Sequence, residues 1–147
     1  MLKHTKLPDK WDVDVDLVAV GSSSGGLTAA IMARDLGMSA VVMEKADVLG
    51  GGTALSGGAI WIPFNHHMPE TGVCDCREDA LTYVRGVSMG HHDEELLLAY
   101  VDRGNEMLQY VEEHTPLKMA VENDGSRTED CADGPGGKCM GRKVWPD

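Results

Sequence analysis

Between residues 21 and 26 the chain reads GSSSGG, an order of residue types that suits one kind of chemistry. Gly21, Gly25 and Gly26 leave the backbone bare, and Ser23 and Ser24 add hydroxyls. Unpaired N–H groups at a helix start, together with the helix dipole, favour a diphosphate. Glu44 follows Gly26 by eighteen residues, close to the separation of about twenty at which an acid accepts hydrogen bonds from a ribose diol in dinucleotide sites. Lys45 stands beside it. A second glycine run, GGGTALSGG at residues 50–58, contributes Gly51, Gly52, Thr53, Ser56, Gly57 and Gly58. Bare backbone and hydroxyls there let a loop lie flat against a phosphate or a planar ring.

Ser23 occupies the place where such turns usually carry a middle glycine, whose lack of a Cβ lets the backbone approach the diphosphate. A strained backbone at Ser23 is expected to cost about 1–3 kcal/mol, on the order of a five- to hundredfold loss of affinity. A hydrogen bond from its hydroxyl to a phosphate oxygen offsets part of that cost.

These residues need elements to hold them. Residues 13–20, VDVDLVAV, begin by alternating and become continuously apolar and β-branched, the pattern of a strand buried on both faces of a parallel sheet. In LTAAIMARDLG, residues 27–37, Leu27, Ala30, Ile31 and Leu36 form a helical stripe and Gly37 supplies a stop. SAVVMEK, residues 39–45, is a second short strand ending on Glu44. Strand, tight turn, helix and strand make the first half of a dinucleotide-binding unit, so the fold class is α/β and Rossmann-like.

Composition narrows the rest. Of 147 residues, 42% are hydrophobic, enough for a core. A net charge of −11 argues against nucleic acid and anionic membrane surfaces, which call for basic patches. No apolar run reaches the ~18–20 residues of a membrane span. The opening MLKHTKLPDKWDVDVD lacks the apolar centre of a secretory leader, and four cysteines are too few for a disulfide scaffold. A reducing cytoplasm is the expectation.

The segments VDLVAVGSSSGGLTAA, VVMEKADVLGGGTALSGGAIWIP and EDALTYVRG resemble the N-terminal part of the fumarate reductase/succinate dehydrogenase flavoprotein family, in its 3-ketosteroid dehydrogenase-like branch. The resemblance implies FAD as cofactor, with Glu44 at the adenosine ribose. Residues 51–58 would run along the pyrophosphate and the flavin ring, with Thr53 and Ser56 as polar contacts. It also implies hydride transfer to flavin N5 from a 3-ketosteroid, or the reverse reaction with a fumarate-like dicarboxylate. The chain departs from the family pattern at Ser23 and at Gly52, where a threonine is common. Family members are several times longer and carry their acid–base residues further on. The chain is therefore expected to be a fragment, or alternatively a non-catalytic remnant with weak or no FAD binding, and no catalytic residue is assigned. Apolar surface left exposed by a fragment implies self-association.

Residues 77–88 and 93–114 read as helices, the second opening on Asp93, Glu94 and Glu95 and ending before Pro116. Leu97, Tyr100, Val101, Met107, Leu108 and Val111 recur at helical spacing as core. The pairs His66–His67 and His91–His92, with Cys74 and Cys76, raise the question of a metal. Neighbours on a strand point to opposite faces, and Cys-x-Cys is tighter than a zinc knuckle, so these are expected to be solvated loop residues and no metal site is expected. The domain plan is a tail at residues 1–12, an FAD-binding domain at 13–122, and a polar glycine-rich loop or disordered tail at 123–147.

Overall fold

The structure, a computed structural model, describes residues 9–121, 130 and 134–147. The chain divides into two compact units, Met1–Leu55 and Ser56–Asp147.

In the first unit, strands β1 (Leu17–Val20) and β2 (Ala40–Met43) pair in parallel, joined by helix α1 (Ser24–Asp35). The register is set at the strand starts. Asp16 Oδ2 accepts the Ser39 N–H at 2.8 Å and the Ser39 hydroxyl at 2.7 Å, which places Leu17 opposite Ala40. Those bonds hold the Asp16 carboxyl below its ordinary value. Helix α1 stops where the sequence requires. Gly37 takes φ +76°, its N–H bonds Arg34 O, and the Met38 N–H bonds Ala33 O. This is a Schellman ending, which the absence of a Cβ makes cheap.

The α/β class with a parallel β–α–β unit followed by helices holds, with two corrections. Strand β1 is not buried on both faces. Ala19 is buried, whereas Val18 and Val20 on the other face are 52% and 88% exposed. The continuous apolar run thus has only one face covered within this unit. A second correction concerns the glycine run, whose first half is a short helix, α2 (Gly51–Leu55), rather than a loop. Gly50 O accepts the Ala54 N–H and closes its turn.

The second unit holds helices α3 (Arg77–Ser88) and α4 (Glu94–His114), as their periodicity predicts. The Asp93 carboxylate caps α4 by accepting the Leu96 N–H. Ala80 and Leu81 of α3 pack with Leu97 and Val101 of α4 in one core, with Phe64 against it. Strands β3 (Ile60–Trp61), β4 (Met119–Val121) and β5 (Lys143–Pro146) form an antiparallel sheet in the order β3–β5–β4. Leu108, Met119 and Val144 make the second core.

Residues 143–146 are therefore strand, not loop or disordered tail. What orders them is Arg142, a fully buried guanidinium. Its Nε and Nη2 donate to Asp75 at 2.8 and 2.6 Å, and its Nη1 donates to Asp130 at 2.8 Å. Burial pushes the Asp75 carboxyl upward, but the bonds from Arg142 and the Phe64 N–H outweigh it and leave it below its ordinary value. Residues 134–142 run as turn and loop, as expected, and residues 123–129 and 131–133 of the predicted tail lie outside the described residues.

Candidate cofactor site

Around the start of α1 the structure gathers most of the residues singled out by type and spacing. Gly21 ends β1 with φ +98°, a conformation that suits glycine, and its N–H bonds Met43 O at 2.7 Å. Gly26 is required by close approach, because a Cβ there would stand 2.2 Å from Gly21 O. At Gly25 and Gly52 nothing lies within 4 Å of where a Cβ would be, so bare backbone faces open space.

Ser23 does not carry the strain expected of it. Its φ of −72° and ψ of 174° are extended geometry open to any residue. It is the N-cap of α1, yet its hydroxyl points to Thr53, with Oγ to Oγ1 at 2.7 Å. The Ser24 N–H also reaches Thr53 Oγ1, at 3.3 Å. Gly51 lies close by, since a Cβ there would fall 3.5 Å from Ser23 Cβ. Ser23, Ser24, Gly51 and Thr53 thus share one surface at the helix start.

Beneath that surface is Ser22, fully buried, which has no distinguishing signal in the sequence beyond following Gly21. Its N–H and hydroxyl both donate to Glu44 Oε2, at 3.0 and 2.6 Å. The same hydroxyl accepts the Gly50 N–H at 2.8 Å. Glu44 Oε1 accepts the N–H groups of Lys45 and Ala46 at 2.8 and 3.0 Å. The Ser22 hydroxyl first, then the Ala46 and Ser22 N–H groups, hold the Glu44 carboxyl down to about 2. A carboxylate offers about four lone-pair sites, and protein donors take all four here. Glu44 is thus a clamp between the glycine turn and the end of β2.

Ser56, Gly57 and Gly58 belong to the second unit. Gly58 has φ +82° and packs on β5, where a Cβ would lie 2.8 Å from Pro146 Cγ. Its N–H donates to Ser56 Oγ at 3.1 Å. A Cβ on Gly57 would meet Trp145 at 3.3 Å.

The donor set at α1 fits a diphosphate. The first N–H groups of an α-helix have no partner within the helix, the Ser23 and Thr53 hydroxyls stand beside them, and no side chain fills the space at Gly25 or Gly52.

The histidines are also arranged differently from expectation. His66 and His67 lie on a turn before a short 3-10 helix, Met68–Thr71, as loop residues, but half-buried rather than solvated. They do not point apart. His66 Nε2 is 2.8 Å from Glu112 Oε2, and His67 Nε2 is 3.1 Å from Glu112 Oε1. His92 lies between Ser88 and Glu94, and Cys74, Cys76 and Cys139 are exposed free thiols.

Comparison with known proteins gives the family. A family profile described as an FAD binding domain matches residues 16–142. The chain belongs to this FAD-binding domain family of the fumarate reductase/succinate dehydrogenase flavoproteins. It is 44% identical over 133 residues to a 3-oxosteroid 1-dehydrogenase of Mycobacterium tuberculosis, a match covering 90% of this chain and 23% of that protein. It is likewise 44% identical to a 4-oxocyclohexanecarboxylate 2-dehydrogenase of Sinomonas cyclohexanicum, with the same coverage. Among solved structures, the 3-ketosteroid delta1-dehydrogenase of Sterolibacterium denitrificans in complex with 1,4-androstadiene-3,17-dione superposes with a TM-score of 0.80 at 37% identity. That likeness covers 90% of this chain and 23% of that one. The chain thus spans about 23% of the length of these relatives.

Proposed function

We propose that the chain supplies the FAD-binding segment of a flavin-dependent oxidoreductase that dehydrogenates a 3-ketosteroid, with reduction of a fumarate-like dicarboxylate as the runner-up. The observation that carries this is the start of α1. There Gly21 turns the chain by its positive φ, Gly26 admits the helix against the turn, and open backbone meets two hydroxyls. The names of the similar proteins, which act on oxosteroids and oxocyclohexane carboxylates, support a cyclic ketone as the substrate class. Bound FAD supplies hydride acceptance at flavin N5.

In this proposal the N–H groups at Ser24, Gly25 and Gly26 receive the diphosphate, with Ser23 and Thr53 beside them. Gly51 and Gly52 keep side chains away from it, and Ser56, Gly57 and Gly58 serve the flavin end, as the family resemblance implies. Glu44 and Lys45 take the adenosine ribose. Because the four lone-pair sites of Glu44 are in use, the ribose diol shares them with, or displaces, the Lys45 and Ala46 N–H groups. That occupancy also favours the second reading, a remnant that binds FAD weakly and turns nothing over. We place the protein in the cytoplasm, supported by the free thiols of Cys74, Cys76 and Cys139. No helix among the described residues is long and apolar enough to cross a membrane.

The test is titration with FAD, followed by flavin fluorescence and by release of flavin on denaturation. Saturable binding that Gly25→Leu abolishes supports the site; a colourless protein at excess FAD supports the remnant. Anaerobic assay with FAD, a 3-ketosteroid and an artificial electron acceptor then tests turnover. We expect none above free flavin from the 147 residues alone, because no acid–base pair is assigned in them.

A further inference from the structure

We propose that His66, His67 and Glu112 form a binding site for a borderline divalent cation of the Zn²⁺ class, separate from the cofactor site and held within the second unit. The three side chains present one ligand atom each, all within 4.8 Å of one another. His66 Nε2 lies 2.8 Å from Glu112 Oε2, and His67 Nε2 lies 3.1 and 3.2 Å from the two Glu112 oxygens. Ligands around a tetrahedral zinc, at bonds of ~2.0–2.1 Å, stand about 3.3 Å apart. The two histidine–carboxylate spacings lie within about half an ångström of that value and the whole set within 4.8 Å, so side-chain adjustment brings the three atoms onto one ion.

The outer hydrogen bonds orient the inner atoms. His66 Nδ1 is 2.9 Å from Asn105 Oδ1, and His67 Nδ1 is 3.3 Å from Glu70 Oε1. Neither these oxygens nor those of Glu112 have a proton to give, and a neutral imidazole carries one N–H, so in either tautomer each ring turns a lone pair toward an acceptor. A positive charge at that lone pair, such as a cation on Nε2, makes the arrangement favourable. A carboxylate or carbonyl on the far nitrogen is also the usual support of a metal-bound histidine.

The backbone beneath is fixed. Buried Asn65 donates through Nδ2 to Ile62 O and Gly141 O, and its Oδ1 accepts the His67 N–H. Asn105 Oδ1 accepts the His66 N–H. Glu112 is buried on α4, and its Oε1 accepts the Met119 N–H at 2.8 Å. Lys118 binds the main-chain oxygen of Glu112 rather than the carboxylate. Two imidazoles and one carboxylate match Zn²⁺, Co²⁺ or Ni²⁺ better than Ca²⁺ or Mg²⁺, which favour all-oxygen ligands. The ion would pin the turn of residues 65–67 to α4 and to the start of β4.

The test uses the untagged chain with all four cysteines replaced by serine, so that thiols cannot compete. Titration with Zn²⁺ is expected to give one ion per chain, and Co²⁺ a visible absorption of four-coordinate character. His66→Gln and His67→Gln should each weaken binding tenfold or more and remove the Co²⁺ spectrum. His91→Gln/His92→Gln should change neither. The thermal midpoint of the parent should rise with Zn²⁺ and that of the His66→Gln/His67→Gln variant should not. X-ray absorption of the loaded parent, which needs no variant to fold, should show two imidazoles. No uptake by the parent at micromolar Zn²⁺, unchanged affinity in the double variant, or absence of imidazole scattering would overturn the site.

Discussion

The Ser22 hydroxyl donates to Glu44 Oε2 across 2.6 Å while accepting the Gly50 N–H at 2.8 Å. One buried hydroxyl thus ties the glycine turn to the end of β2 and to the residue before α2. The surface of Ser23, Ser24 and Thr53, proposed above for the diphosphate, rests on this tie.

The tie has a pH signature. The Glu44 carboxyl is lowered from 4.5 to about 2. A depressed folded value means the stabilisation is complete above 4.5 and is lost as pH falls toward 2. Glu44→Gln removes it. Thermal midpoints of parent and variant should therefore differ most above pH 4.5 and converge toward pH 2. Parallel curves would contradict the clamp. FAD and FMN affinities compared in the same variant separate clamp from ribose contact, since FMN lacks the adenosine ribose: a clamp alone weakens both, a ribose contact weakens FAD more.

Gly25 and Gly26 are neighbours with opposite requirements. An alanine at Gly26 drives its Cβ against Gly21 O, and Gly26→Ala should cost about 1–3 kcal/mol. Gly25→Ala meets nothing within 4 Å and should stabilise by up to about 1 kcal/mol. Its methyl nevertheless enters the space assigned to the diphosphate, so FAD binding should weaken as stability rises. Urea denaturation and FAD titration of both variants check the pair; equal stability would mean that the turn is looser than described.

Ser23→Gly should not tighten FAD binding by relieving strain, because φ −72° and ψ 174° carry none. The change removes the Ser23–Thr53 hydroxyl contact and should lower stability by a few tenths of a kcal/mol. Thr53→Ala should have a similar effect, and the double variant should add little to either single one. A rise in melting midpoint on Ser23→Gly would restore the strained picture.

What the sequence disclosed follows from what is local. The end of α1 at Gly37 depends on neighbouring residues alone, and the bounds of α3 follow from its own periodicity. Glu44 stood out by its distance from Gly26, but its partner Ser22 did not, because burial of a serine depends on a contact twenty-two residues away. The pairing of β3, β5 and β4 was illegible for the same reason. These strands are two to four residues long and pair between distant segments. The convergence of His66 and His67 on Glu112 was not legible either, because it depends on the turn that Asn65 fixes and on a helix residue forty-five positions on.

The Arg142 guanidinium is completely buried between Asp75 and Asp130 and lies 5.3 Å from the Trp61 ring centroid. Breaking a buried pair by removing one partner leaves an uncompensated charge and costs about 3–5 kcal/mol. Arg142→Met removes the cation from two buried carboxylates and should cost at least that near neutral pH. In the parent, the Asp75 carboxyl lies below its ordinary 3.8, so its contribution is present above that value and falls away in acid. In Arg142→Met the sign reverses. An unpaired buried carboxylate has a raised folded value, so stability is present in acid and is lost as pH rises through that value. The gap between parent and variant should therefore be widest at pH 7 and close as pH approaches 4. Urea unfolding followed by tryptophan fluorescence reads both arms, because Trp61 donates to Asp130 at 2.8 Å and its emission should report the loss of this cluster. A variant as stable as the parent at pH 7, or a gap that widens in acid, would show that Arg142 is not what orders β5.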